Sequence, residues 1–349
     1  MMSIFLLYPF DEGGHSMIEE IIFNNYGIQV ELEEANNRFP SFRSGNMIYS
    51  IVPIENMEQE ELVERHIMSQ HLISQGDRHV SAFVLANHGS YVSEADEQLF
   101  ILLANQALEG PKNFNPGRRL ARFHQRGRNI NETIRTCSRI GKWKELWEQR
   151  IDQLEKIWRD KLNAHPDNQF EKLFIETFPY YMVLGENAIQ YLVDTEIDDT
   201  PQIVDSGTVC YERFLHDTWK SNKWIKNPFD WVFDHGTRDV AEWVREHYFQ
   251  NVHTHQRGIG HFFHEYQSIE PLSSFSARLL YSRMLFPIHY FETVEEYFSK
   301  TSESRSNELE DKISSITKSS PQYESFLKHF YELAEVPAKQ YDLPKIDWI

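Results

Sequence analysis

The stretch KWKELWEQRIDQLEKIWRDKL, residues 142–162, constrains the fold of this chain more than any other. Its large apolar residues, Trp143, Trp147, Ile151, Leu154, Trp158 and Leu162, recur at steps of three and four and so fall on one stripe of a helix. A helix with three tryptophans on one face needs a core of matching size, and the sequence supplies more helices to build it. Residues 168–178 and YYMVLGENAIQYLVDT read as two long helices with Pro179 at their junction, because proline can begin a helix but not continue one. After a short β-like interlude over about residues 202–234, RDVAEWVREHYF opens a helical run that continues almost to the end. Within that run, residues 301–319 are polar enough to predict a solvent-facing segment.

The first hundred residues read differently. SMIEEIIFNNYG predicts a helix capped by Ser16 and stopped near Gly27; IQVELEE and NMIYSIVPI alternate or run apolar like strands. MEQEELVERHIMSQHLISQG predicts a helix ending near Gly76, followed by strands in VSAFVLANHGSYV, around an Asn-His-Gly-Ser turn, and in QLFILLA. The expectation is an α+β chain: a small sheet with one main helix over residues 1–108, then a helical lobe over residues 109–349. At 349 residues the chain exceeds the roughly 250 to 300 beyond which one core usually splits.

Composition excludes several function classes. With 35 basic and 53 acidic residues the formal net charge is −18, which argues against a surface that neutralises nucleic-acid phosphates. Two cysteines, Cys137 and Cys210, are too few for a secreted disulfide framework. The opening MMSIFLLYPF lacks a basic flank, is cut by Pro9 and runs into Asp11 and Glu12, so it makes a poor signal peptide; no later segment reaches the roughly 20 apolar residues that span a bilayer. Synthesis in a reducing cytoplasm without a signal peptide, as a soluble protein, is expected.

A small sheet with one helix, then a helical lobe with a β-rich interruption, is the layout of a bilobal protein-kinase-like fold. The strings GRRLARFH and GKWKELWEQRIDQLE resemble helix motifs of the CotS-type spore-coat family, relatives of the aminoglycoside, choline and homoserine kinases. FPYYMVLGENAIQYLVDTE, DSGTVCYERF, DWVFDHGTRDVAEW and LLYSRMLFPIHYFE resemble its endospore coat-associated members closely, over about residues 26–291. The resemblance implies association with the spore coat and coat proteins as partners.

In active members of the wider kinase superfamily the catalytic loop reads His-Gly-Asp, four residues, then Asn; the Asp accepts the substrate hydroxyl's proton and the Asn holds magnesium. Set on that pattern, CYERFLHDT places Tyr211 at the His, Glu212 at the Gly, Arg213 at the Asp and Thr218 at the Asn. A guanidinium cannot be deprotonated in a protein, so Arg213 cannot serve as a base, and its charge would repel a metal. Asp217 is the candidate for rescue. The implied second metal position falls on Asn227 in a gapless count, or on Asp230 or Asp234 if the connection is shorter. The small lobe departs as well: VELEEANNRFPSFRSGN is acidic, with only Gly45 near the expected phosphate-cradling turn, and MIYSIVPI has no lysine to offer the phosphates. The resulting expectation is a pseudokinase with no catalytic residues, metal or cofactor. Arg213 would then be a partly buried structural cation paired with Glu212, Asp217, Asp230 or Asp234. The alternative is an active small-molecule or protein kinase that binds ATP and Mg and uses Asp217, Asp230 or Asp234 in unusual roles. An unknown small molecule in the cleft between the lobes fits either reading.

Other constellations have bland readings beside the sharp ones. His253, His255, His261 and His264, with Glu265, offer metal-ligand types but lack a metalloprotease motif, and surface or hydrogen-bonded histidines are the simpler reading. Cys210 beside Tyr211 and His216 shows no oxyanion site and reads as a buried, inert thiol. The acidic runs MEQEELVE and ESRSNELEDK read as solvated helix faces, and the aromatic PIHYFETVEEYF as core before docking patch.

Overall fold

In a computed structural model, the residues described are 14–33, 39–54, 57–95, 98–108, 115–219, 225–299 and 302–344. The chain divides into two compact units interleaved in sequence. The first comprises residues 1–114, 129–138 and 217–232, the second residues 115–128, 139–216 and 233–349.

The first unit is built on an antiparallel sheet. Its strands are β1 (Leu32–Glu33), β2 (Ser41–Ser44), β3 (Met47–Pro53), β4 (Ala82–Phe83), β5 (Val92–Ala95) and β6 (Gln98–Gln106), in the order β1-β2-β3-β6-β4, with β5 also on β6. Burial alternates along β3, as the period of a strand requires, and β6 is buried on both faces. Phe100 and Leu102 pack with Ile22 and Tyr26 of helix α1 (Gly14–Tyr26), whereas Ile101 and Leu103 pack with Val52, Ile54 and Phe83. Helix α2 (Gln59–Ser74) completes the unit, so both helices predicted in the first hundred residues are present. Gly27 and Gly76 follow α1 and α2 at φ +69° and +82°, the left-handed conformation in which glycine ends a helix without a Cβ penalty. Ser16 lies within the described span of α1, where a position at its start was expected. Gly45, at φ +56°, turns the β2–β3 hairpin and not the β1–β2 connection, whose residues 34–38 lie outside the described residues.

The second unit is helical: α3 (Pro116–Gly127), α4 (Trp143–Asn163), α5 (Gln169–Asp198), α6 (Thr237–Gln250), α7 (His255–Gln267), α8 (Ser274–Leu285), α9 (Ile288–Phe298), α10 (Glu303–Lys318), α11 (Ser320–Lys328) and the short α12 (Phe330–Leu333). Strand β7 (Thr208–Tyr211) pairs with β8 (Trp231–Asp234). The α4 stripe is core from Trp143 through Leu154, Trp158 is half-buried, and Leu162 is exposed.

Where two helices were expected around Pro179, α5 runs through it unbroken. Proline 179 cannot donate to the carbonyl four residues back, that of Ile175. The indole Nε1 of Trp158 donates to that carbonyl instead, at 3.0 Å. The group that proline leaves unpaired is thus satisfied from the neighbouring helix, which removes most of the reason to break. Trp158→Phe is therefore expected to cost about 1 kcal/mol beyond its lost packing, and Pro179→Ala, which restores an N–H, should recover that part. A urea double-mutant cycle with no coupling between the two sites would refute the compensation.

Helix α10 is not wholly solvent-facing, because Leu309, Ile313 and Ile316 are buried on one stripe. Tyr290, Phe291 and Val294 of α9 are core, Tyr290 stacking on Tyr181 at 3.7 Å. Among the described residues no helix is long and apolar enough to cross a membrane.

Candidate functional site

Strand β7 is buried along its whole length and delivers the chain to Glu212 and Arg213. Two struts hold its end. The carboxylate of Asp239, in the first turn of α6, accepts the Tyr211 backbone N–H at 3.1 Å from both oxygens and pairs with His124 Nε2 at 3.0 Å. His124 Nδ1 in turn meets the Tyr266 hydroxyl at 2.8 Å, linking α3 to α7. The thiol of Cys210 faces the carbonyls of Asp234 and His235 at 3.7 and 3.5 Å. His124, Cys210 and Asp239 bring metal-ligand atom types within 4.8 Å of one another, a cluster absent from the sequence reading. Each is buried and engaged as described, with Asp239's carboxyl pushed well above its usual range by burial and Cys210's thiol pushed up for the same reason. That thiol has the inert environment expected of it.

Arg213 sits beyond the strand with its side chain 40% exposed. Its Nε lies 2.9 Å from Glu242 of α6, and a terminal nitrogen pairs with Glu292 of α9. The expectation of a carboxylate-paired cation is met, but with different partners and with the side chain exposed where it was expected to be partly buried. Glu212 instead lies 4.0 Å from Arg238, and Asp234 pairs with Arg238 at 3.0 Å; Asp217 and Asp230 belong to the other compact unit. The reason is helical register. Arg238, Glu242 and Arg245 are spaced i, i+4, i+7 and so share one face of α6.

Glu242 is the centre of this network. It is buried and receives Arg245 at 3.3 Å and Arg283 of α8 at 3.6 Å besides Arg213. Burial alone would raise its carboxyl; Arg245, Arg213 and Arg283 outweigh burial and hold it below the ordinary value. Arg283 lies over the Trp143 ring at 4.4 Å, and burial together with the nearby Arg238 lowers its guanidinium to about 10. The face spacing of charges inside RDVAEWVREHYF was the sequence signal for this network.

Asp234 is fully buried. It accepts from Trp143 Nε1 at 2.9 and 3.1 Å, from the His235 N–H at 2.8 Å and from Arg238 at 3.0 Å. A metal would have to displace these donors. In the first unit, Asn227 is buried and its side-chain oxygen accepts the Phe229 N–H at 2.9 Å, capping a 3-10 turn that ends at Asp230. Thr218 lies in a turn after the exposed Asp217, next to the buried Trp219. Trp219 carries the Lys226 ammonium over its ring at 5.2 Å, and Lys226 pairs with Asp77 at 2.6 Å.

Strand β3 carries no lysine. Helix α2 offers Glu64, which is not the solvated acid predicted from the acidic run. Its carboxylate accepts the backbone N–H groups of Arg135, Thr136 and Cys137 at 2.8, 3.1 and 2.7 Å. Burial acts to raise its carboxyl, and these three donors together outweigh burial and lower it. Arg65, beside it, donates to the carbonyls of Pro228 and Trp231 at 2.8 and 3.1 Å. Of the histidine group, His264 stands 3.5 Å from Glu335 and His255 Nδ1 bonds the Val252 carbonyl.

These features define a protein of the aminoglycoside phosphotransferase and kinase-like fold. An aminoglycoside phosphotransferase from Alicyclobacillus acidocaldarius superposes with a TM-score of 0.63 at 12% identity, covering 90% of this chain and 96% of that one. An amicoumacin kinase and a microcompartment-associated aminopropanol kinase each superpose with a TM-score of 0.54, also at 12% identity, covering 88% and 92% of this chain and 94% and 99% of theirs. The chain belongs to the family described as "Spore coat putative kinase YutH", which matches residues 19–330. It is 40% identical over 334 residues to the endospore coat-associated protein YutH of Bacillus subtilis (strain 168), spanning 95% of this chain and 98% of the relative.

Proposed function

We propose that this chain is a kinase-fold protein that has given up phosphoryl transfer and serves as a component or assembly partner of the bacterial spore coat. The coat context comes from the 40% identical endospore coat-associated relative. One observation carries the loss of catalysis: Arg213, at the position the family pattern gives to the catalytic Asp, is tied to Glu242 and Glu292, a role fixed by packing and incompatible with accepting a proton. The full set of donors on Asp234 and the absence of a lysine from β3 support the same reading.

ATP with magnesium is expected to leave the thermal unfolding midpoint unmoved at millimolar concentration, whereas a surviving site occupied at 100 times Kd would stabilise the fold by about 2.7 kcal/mol. Arg213→Asp is expected to leave ATP hydrolysis absent. Its stability cost should be on the order of 1 kcal/mol, since the side chain is substantially solvent-screened. ATP turnover by the unmodified protein that disappears on Asp217→Ala or Asp234→Ala would establish an active phosphotransferase instead.

A further inference from the structure

Helices α6, α7, α11 and α12 of the second unit line a partly open cavity of about 420 Å³, within the range of small-molecule sites. Its floor is aromatic, with Tyr248 of α6 and Phe326 of α11 at a centroid distance of 4.5 Å. His255 at the start of α7, His329 between α11 and α12, Gln322 and Glu332 complete the part that matters here. None of these residues belongs to the Glu242 network or to the loop after β7.

Two observations indicate a missing ligand and its chemistry. Tyr248 is 1% exposed, and its hydroxyl has no hydrogen-bond partner among the described residues, an arrangement that a bound polar group would relieve. Both histidines commit Nδ1 to a backbone carbonyl, His255 to Val252 and His329 to Ser325, each at 2.9 Å. A carbonyl only accepts, so Nδ1 carries the hydrogen and a neutral ring presents its Nε2 lone pair. Two imidazole lone pairs and the Glu332 carboxylate make a rim of acceptors above π faces. Such a rim calls for a ligand that brings N–H donors, positive charge and a flat surface. The net charge of −18 favours the approach of a cation.

We propose that this cavity binds a small, flat organic cation of the amidinium or guanidinium class, lying against Phe326 and donating to the Tyr248 hydroxyl, Glu332 and the two imidazoles. The test titrates benzamidine into the full chain at pH 8 by calorimetry, with benzoate as the control of like shape and opposite charge. Saturable one-to-one binding of benzamidine is expected, with benzoate weaker by about tenfold or more. Glu332→Gln and His329→Ala change exposed residues, so each should weaken benzamidine by about tenfold while leaving the unfolding midpoint in place. Absence of saturable binding overturns the proposal. So does equal affinity for benzoate, or benzamidine affinity that survives Glu332→Gln.

Discussion

Glu242→Ala is expected to destabilise the protein by about 3 to 5 kcal/mol, seen as a large fall in the urea midpoint, because it removes the shared partner of buried cations. Arg245 and Arg283 are 5% exposed, and both meet this one carboxylate. Removing it leaves two guanidinium groups close together in a low-dielectric site, and Arg283 is already lowered to about 10 by burial and by Arg238. Arg213→Ala should cost far less, since Glu242 would keep its other two cations and the lost side chain is 40% exposed. The contrast between the two variants separates a buried network from a surface pair, and equal effects would refute the network. The pH dependence has a definite sign. The folded-state pKa of Glu242 is lowered from 4.5, so its stabilisation is fully present above that value and is lost as pH falls through the lower, folded value. The stability gap between the natural protein and Glu242→Gln should therefore be widest near neutrality and close in acid.

Gly117→Ala is the second substitution expected to act strongly, at about 1 to 3 kcal/mol or more. A Cβ at this position would overlap the Phe262 carbonyl oxygen and lie 3.1 Å from the Tyr266 backbone nitrogen. Both neighbours are backbone, so no rotamer change relieves the contact and helices α3 and α7 must move apart. That movement would pull Tyr266 from His124 and loosen the strut that passes through Asp239 to the end of β7. Gly260→Ala on the same α7 is the control. Nothing lies within 4 Å of its added methyl, and the gain in helix propensity of up to about 1 kcal/mol should leave it neutral or slightly more stable. If the two alanine variants unfolded at the same midpoint, the close approach of α3 and α7 would not be a constraint.

The rest of the fold differs in how far it could be foreseen. The ends of α1 and α2 were set by Gly27 and Gly76, whose left-handed backbone is a property of single residues. The α4 stripe and the alternation of β3 are properties of spacing within one element. The chemistry at Arg213 was equally legible, because a guanidinium is no base whatever surrounds it. By itself, then, the sequence determined element type, most of the core faces and the inability of Arg213 to act as a base.

Only the tertiary structure decided what those residues do for one another. Pro179 should end a helix by local rules, yet Trp158, from a different helix, satisfies the carbonyl it leaves unpaired. Glu64 sits in an acidic run that spacing assigns to solvent, yet three backbone N–H groups some seventy residues away make it a buried acceptor. Arg213 had four carboxylate candidates nearby in sequence and pairs with Glu242 and Glu292 instead. Backbone dihedral preference and periodicity act within a few residues and can be read along the chain. Hydrogen-bond and charge partners are fixed by which faces of distant helices come into contact, and the energy of each pair depends on a burial that exists only once they have packed.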